Sequence, residues 1–282
     1  VESRGLGDVY KRQGDFSAKI MVKVGQLNSK DFPANKKYAI PLSITGASNY
    51  SLIPSQRSAI LLLNRSILSS VAKVSGGEGI RIKPVGMHTK AEWTIQMSAI
   101  YSSLTRSNLT TAYLSNGTGG EFYTRISSTA GIQVKNGRDG DDTWTQIPLQ
   151  AGKWLHITYV HKDKKTTVYV NGKVQKVFEN SAITFGENSM IVVGNSGYRN
   201  DYLREIRLWD KALTESEIND YLYLPMDPAT PHLISYLPLS KEMETKDLKA
   251  PAGTENVTTK ARIEYVENVK FPADELVIVN QE

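Results

Sequence analysis

The sequence predicts an all-β protein whose main body is a sandwich. Three observations carry this. Between residues 92 and 222, short segments of alternating apolar and polar residues recur about every eight to twelve residues, separated by turn formers, the spacing of a sandwich or barrel. Asn171-Gly172 lies between two such segments, and a type I′ hairpin turn needs the positive φ that Asn and Gly tolerate. Helix is expected only in short pieces: Thr214-Glu215-Ser216-Glu217 is a capping box, predicting a short helix over residues 215–222.

The composition bounds the function. At 282 residues the length suits one or two domains, and 40% apolar residues suffice for a core. The net charge is +5, of which one unit lies in residues 1–13. The remainder is spread thinly, and no basic block is interleaved with aromatics, so the pattern argues against nucleic-acid binding. The longest apolar run, AILLL at 59–63, is far shorter than the roughly 18 residues that span a membrane. There is no Cys, hence no disulfide framework and no thiolate metal site, a composition that suits a bacterial envelope protein.

Each segment then takes its place in order. Residues 3–13, SRGLGDVYKRQ, are identified as the frame translation of a sequencing-library adapter and are set aside. The expectation is that the natural protein starts upstream of Gly14, with an export segment missing from this sequence. AKIMVKV (18–24) and YAIPLSI (38–44) alternate as half-buried strands, with Pro41 favouring an edge or bulge; SAILLL (58–63) reads as a fully buried strand. Residues 67–84 read as a linker: Ser66 to Val71 fits either a helical turn or a strand, SGGEG (75–79) is a flexible break, and IRI (80–82) can open the next domain.

From there the strands follow as WTIQMSA (93–99), EFYTRI (121–126), GIQV (131–134), WLHITYV (154–160), TTVYV (166–170), KVQKVF (173–178), MIVVG (190–194) and REIRLW (204–209). Trp93, Trp154 and Trp209 fall in these alternating strands and are expected in the core. HLISYLPL (232–239) and ARIEYVE (261–267) read as strands that rejoin the sandwich, and residues 273–282 as a tail whose LVIV (276–279) can pair at an edge.

The run GKWLHITYVH, then VYVNGK, then IVVGN, then YLREIRLWDKALTESEI resembles, in order and spacing, the laminin-G/pentraxin-like family of the concanavalin A-like lectin/glucanase superfamily. HLISYLPL is similar to the return strand of such proteins in Bacteroidetes. KKYAIPLSITGAS with its following apolar strand resembles the C-terminal half of an immunoglobulin-like domain of surface lipoproteins from the same bacteria. The resemblance implies a concanavalin-type jelly-roll sandwich over residues 85–272, preceded by a partial immunoglobulin-like β domain over 14–66. It also implies a place outside the cell or on the outer membrane, with membrane contact only through a lost lipid anchor. One departure stands out: Tyr202-Leu203-Arg204 replaces the Gly usual before the Trp-bearing strand.

Catalysis has little support. Retaining glycosidases of this superfamily use a Glu-x-Asp-x-x-Glu strand, and none is present. There is no G-x-S-x-G elbow, and His88, His156, His161 and His232 form no i, i+4 pair. Two loops suit binding. Residues 136–144 hold Asp139, Asp141 and Asp142, whose oxygens fit a calcium ion, and end in Trp144. Residues 195–202 hold Tyr198, Arg199, Asn200 and Tyr202, rings and polar groups of the kind that grip a sugar. Each loop is equally an ordinary turn, where Asp, Asn and Gly are favoured anyway. The functional expectation is a non-catalytic module that captures a polysaccharide or host glycan. The alternative is a structural or adhesion module that contacts other surface proteins.

Overall fold

The computed structural model describes the chain except residues 1–20, 26–30, 33–37, 48–50, 64–65, 86–89, 105–109, 120, 136–139, 180–181, 195–197 and 281–282, with backbone alone at Tyr198 and Arg199. In chain order the strands are β1 Tyr38–Ser43, β2 Ser58–Leu63, β3 Ile67–Gly76, β4 Ile80–Ile82, β5 Trp93–Ile100, β6 Ala112–Ser115, β7 Thr118–Gly119, β8 Tyr123–Ser127 and β9 Gly131–Lys135. They continue with β10 Trp154–Lys162, β11 Lys165–Val170, β12 Lys173–Glu179, β13 Ile183–Thr184, β14 Met190–Val193 and β15 Tyr198–Trp209. Helix α1, Glu215–Asp220, precedes β16 Leu233–Leu237, β17 Val257–Thr258 and β18 Arg262–Phe271.

Two sheets face each other, which is the expected jelly-roll sandwich. The larger has eight strands ordered β12-β11-β10-β5-β15-β3-β18, with β16 also on β15; the smaller has six, ordered β17-β4-β14-β6-β8-β9. Alternation along each strand puts one set of side chains between the sheets. Ile95, Met97, Ile157, Tyr159 and Leu203 from the large sheet meet Ile82, Leu114, Ile126, Val134 and Ile191 from the small one in a single core cluster. Trp93, Trp154 and Trp209 are buried. The Asn171-Gly172 turn has φ of 51° and 74°, as an I′ hairpin requires. The α1 capping box forms with both reciprocal bonds, Glu217 N–H to Thr214 Oγ1 and Thr214 N–H to Glu217 Oε2.

Several segments differ from the expectation. Residues 67–76, read as part of a linker, form β3, which pairs β15 on one side and β18 on the other. Its run Ser69-Ser70 hides the alternation, because Val71, Ala72 and Val74 are buried on two different faces. β4 likewise belongs to the small sheet. β2 is exposed rather than buried, because among the described residues it pairs only with β1, in a two-stranded ribbon without a second layer. Ile60 and Leu62 are 68% and 72% exposed. Of the expected strand at 18–24, residues 18–20 lie outside the described residues and 21–24 show no strand. The tail bonds to β18 through Lys270 N–H to Val277 O and Val279 N–H to Asn268 O.

The outer face of the large sheet is covered. β15 breaks its register with β5 between Arg204 and Arg207, and Glu205 takes a φ of 54°. A bulge adds one residue, so Arg204, Glu205 and Arg207 share the outer side while Leu203, Ile206 and Leu208 stay in the core. Arg204 and Arg207 both bond the Glu205 carboxylate, which also accepts the Tyr236 hydroxyl at 3.0 Å. The two guanidiniums then hold a strap of chain by its carbonyls: Arg204 bonds Tyr223 O at 2.7 Å, and Arg207 bonds Tyr221 O at 3.0 Å and Leu224 O. The strap and α1 close over two further clusters, one around Trp209, Ile218 and Tyr236, the other around Trp154 and Phe271.

Removing one member of such a buried set leaves a charge without its partner. Glu205→Ala is expected to lower the unfolding free energy by about 3–5 kcal/mol, read from urea denaturation. A loss under 1 kcal/mol would mean that the strap does not depend on this network.

Candidate functional site

The outer face of the small sheet is partly open: Val192 and Gln133 on it are buried, while Tyr113, Tyr123 and Arg125 are half-exposed. Antiparallel partners share a face, so the register places Thr258, Arg81, Val192, Tyr113, Tyr123 and Lys135 in one row across β17, β4, β14, β6, β8 and β9. A second row runs from Arg125 to Gln133 and, through a lone bridge beyond β9, to Trp144. The Tyr113 and Tyr123 rings pack edge to face at 5.8 Å. The Arg125 guanidinium sits 5.6 Å from the Tyr123 ring centre. Tyr113, Tyr123, Arg125 and Trp144 are all half-buried: held by neighbours yet open to a ligand.

Toward β17 the face deepens into an open groove of about 600 Å³, lined by Arg81, Lys83, Glu187, Met190, Asn256 and Thr258 among others. Asn256 is fixed there by donating to Lys83 O at 3.1 Å and to the Asp247 carboxylate at 2.9 Å. The groove is within the size range of small-molecule sites. At the opposite edge the 3-10 turn Asp141–Thr143 presents Trp144. Lys176 of β12 clamps this turn, donating to Asp142 O at 2.8 Å and Trp144 O at 2.7 Å.

The residues named from sequence divide between opposite faces. Trp144 joins the small-sheet face. Asp141 and Asp142 flank it and are exposed, and Asp139 lies outside the described residues. Among the described residues no three His, Cys, Asp or Glu come close enough to share a metal ion. Tyr198, Arg199, Asn200 and Tyr202 belong to β15 of the other sheet rather than to a loop. The side chains of Tyr198 and Arg199 are outside the described residues. Asn200 is exposed at a bulge with φ 60°. Tyr202 packs against the cluster of Trp154 and Phe271. Tyr113, Tyr123, Arg125 and Gln133 were not singled out as one face. For Tyr123 and Arg125 the signal is the alternation in EFYTRI, where they oppose the buried Thr124 and Ile126.

The densest buried polar cluster outside this face does not form a ligand site. Gln96, Ser98, His156, Thr158, Glu205 and Arg207 surround a cavity of only about 10 Å³ under Leu222. That is room for about one water. His156 shares a hydrogen bond with Ser98 Oγ at 2.7 Å, and burial, then Arg204 and Arg207, push its pKa down to about 3. His161 stacks on Trp93 and accepts the Ile183 N–H at Nε2, so its Nδ1 carries the proton toward Thr166; burial pushes its pKa down to about 4. His232 pairs with Asp210 at 3.0 Å, and His88 lies outside the described residues.

Comparison with known proteins bears on the fold. Residues 75–219, about half of the chain, match the laminin-G family model described as the concanavalin A-like lectin/glucanases superfamily. The chain belongs to this family. It is similar to the crystal structure of a candidate carbohydrate-binding protein from Bacteroides ovatus, at 18% identity and a TM-score of 0.56, over 87% of this chain and 72% of that one. It is also similar to a heptameric SAP-like pentraxin from Limulus polyphemus, at 14% identity and a TM-score of 0.44, over 71% and 94%. A third similar structure is domain 4 of an extracellular arabinanase from Geobacillus stearothermophilus in complex with arabinotriose, at 14% identity and a TM-score of 0.38, over 64% and 86%. No curated protein sequence matches the chain.

The two depressed histidines set a pH dependence. An unfolded His titrates near 6.5, so below that pH the unfolded chain takes up protons that the folded one refuses until about pH 4 for His161 and about pH 3 for His156. Their contribution is complete above about pH 6.5 and is lost as the pH falls toward 4. The urea midpoint is expected to drop between pH 7 and 4.5, and to drop less in His156→Gln. A midpoint that stays level would show that the folded protein accepts these protons freely.

Proposed function

We propose that this protein is a non-catalytic glycan-binding module that works outside the cell, and that it binds on the outer face of its six-stranded sheet. The observation that carries this reading is the in-register placement of Tyr113, Tyr123, Arg125 and Trp144 on one open face. Aromatic faces stack on the C–H surfaces of sugar rings, and polar groups beside them orient hydroxyls. The strands hold these side chains at fixed spacing, which limits the ordering cost of binding. The adjoining groove gives an extended chain room to continue past the aromatic pair. A second reading, an adhesion module, draws on the exposed Ile60 and Leu62 of β2, which offer an apolar edge to a protein partner.

The test is retention of the full chain on a panel of plant, host and microbial polysaccharides, with calcium and with EDTA. Tyr123→Ala and Trp144→Ala are each expected to weaken retention about tenfold or more, equivalent to ~1.4 kcal/mol, with unchanged circular dichroism. Retention by the folded protein on no glycan would move the assignment to adhesion. EDTA-sensitive retention would assign a calcium ion to Asp139, Asp141 and Asp142; EDTA-insensitive retention would assign none.

A further inference from the structure

We infer that the ligand of this face is an acidic sugar, a uronate whose carboxylate meets Arg125 and whose neighbouring hydroxyl meets Gln133. The inference rests on the glycan-binding reading above and concerns the chemistry at one point of that face. Arg125 makes no ion pair among the described residues, whereas Arg81, three strands away on the same sheet, is held by Glu78 at 3.0 Å. Its Nε is buried and has no hydrogen-bond partner. Directly opposite in register lies Gln133, 2% exposed, whose Oε1 is also buried and unpartnered.

The orientation of the Gln133 amide is fixed by its surroundings. Thr143 Oγ1 donates its proton to Gly140 O at 2.6 Å, so toward Gln133 it can only accept. Gln133 Nε2 fills that role at 2.9 Å, which leaves Oε1 as the unsatisfied end. Two neighbouring strands therefore set an unmet cationic donor beside an unmet neutral acceptor. A buried polar group left so carries a desolvation penalty, which a ligand supplying the missing partner recovers. Reaching them takes a side-chain rotation that the half-exposed Arg125 permits.

The pair of groups selects the ligand. A guanidinium matches a planar carboxylate through two parallel bonds. A fully deprotonated inorganic anion such as sulfate offers no proton for Gln133 Oε1. A neutral sugar satisfies Oε1 through a hydroxyl but leaves the guanidinium with its solvation only partly replaced. A uronate carries both the carboxylate and an adjacent hydroxyl on one ring, and that ring has C–H faces for Tyr123 and Trp144.

The experiment compares binding of the full chain to polygalacturonate, alginate and hyaluronan with binding to the methyl-esterified forms of the same polymers and to neutral glucans, by affinity electrophoresis and calorimetry. At least one uronate polymer is expected to bind ten times more tightly or better than its methyl ester. That preference is expected to disappear in Arg125→Gln and to survive in part in Arg125→Lys, which keeps the charge without the fork. Gln133→Met is expected to weaken uronate and neutral polymers alike. Equal affinity for ester and acid, or an unchanged preference in folded Arg125→Gln, would overturn the acidic assignment while leaving the glycan reading standing. Binding to sulfated glycans without binding to any uronate would overturn the carboxylate. Failure to bind any polysaccharide would overturn both readings.

Discussion

The bulge at Glu205 organises the molecule. One extra residue in β15 turns Arg204, Glu205 and Arg207 to the same side. Two cations and one anion buried together are costly unless well partnered. Here the carboxylate is shared by both guanidiniums and Tyr236, and the excess positive charge is spread over the carbonyls of Tyr221, Tyr223 and Leu224, while the two buried Nε–H groups stay unpartnered. The Arg204 guanidinium also lies 4.1 Å from the Phe271 ring centre. The set thus ties three separate segments, β15, β16 and the strap after α1, to one place. It contributes specificity of arrangement more than net stability, since an apolar replacement of the whole set would serve burial as well.

That arrangement decides where a ligand can sit. With the strap and α1 over the large sheet, its outer polar groups see only a water-sized cavity. The small sheet is less completely covered: Val192 and Gln133 on its outer side are buried, but Tyr113, Tyr123 and Arg125 stay half-exposed. A sheet of six paired strands is a stiff platform, and side chains in cross-strand register keep their spacing without help from loops. The proposed site follows from which face is closed.

Much of this fold is legible in the sequence, for physical reasons. Hairpin chemistry at Asn171-Gly172 and the capping box at Thr214 are local rules, and both appear as expected. Strands with one face in the core alternate, so WTIQMSA and WLHITYV are plain. β3 is obscured because apolar residues serve both of its faces, and β2 misleads because an apolar run does not say whether a second layer exists to bury it. The site is harder still. Alternation shows that Tyr123 and Arg125 point away from the core, but not whether that outward side meets solvent or another layer. Trp144 is found because it lies in a turn rich in polar residues. Tyr202 looks similar on paper, yet tertiary packing places it beside Trp154 and Phe271. Gln133 gives no signal at all, since its role depends on Thr143 and Arg125, which only the fold brings to it.

Side-chain footprinting by hydroxyl radicals, with and without a bound oligosaccharide, tests the choice of face most directly. Protection is expected at Tyr113, Tyr123 and Trp144, with Tyr198 and Tyr202 unchanged. Protection at Tyr198 and Tyr202 with Tyr113 and Tyr123 unaffected would place the ligand on the other side of the sandwich and contradict the role given to the six-stranded sheet.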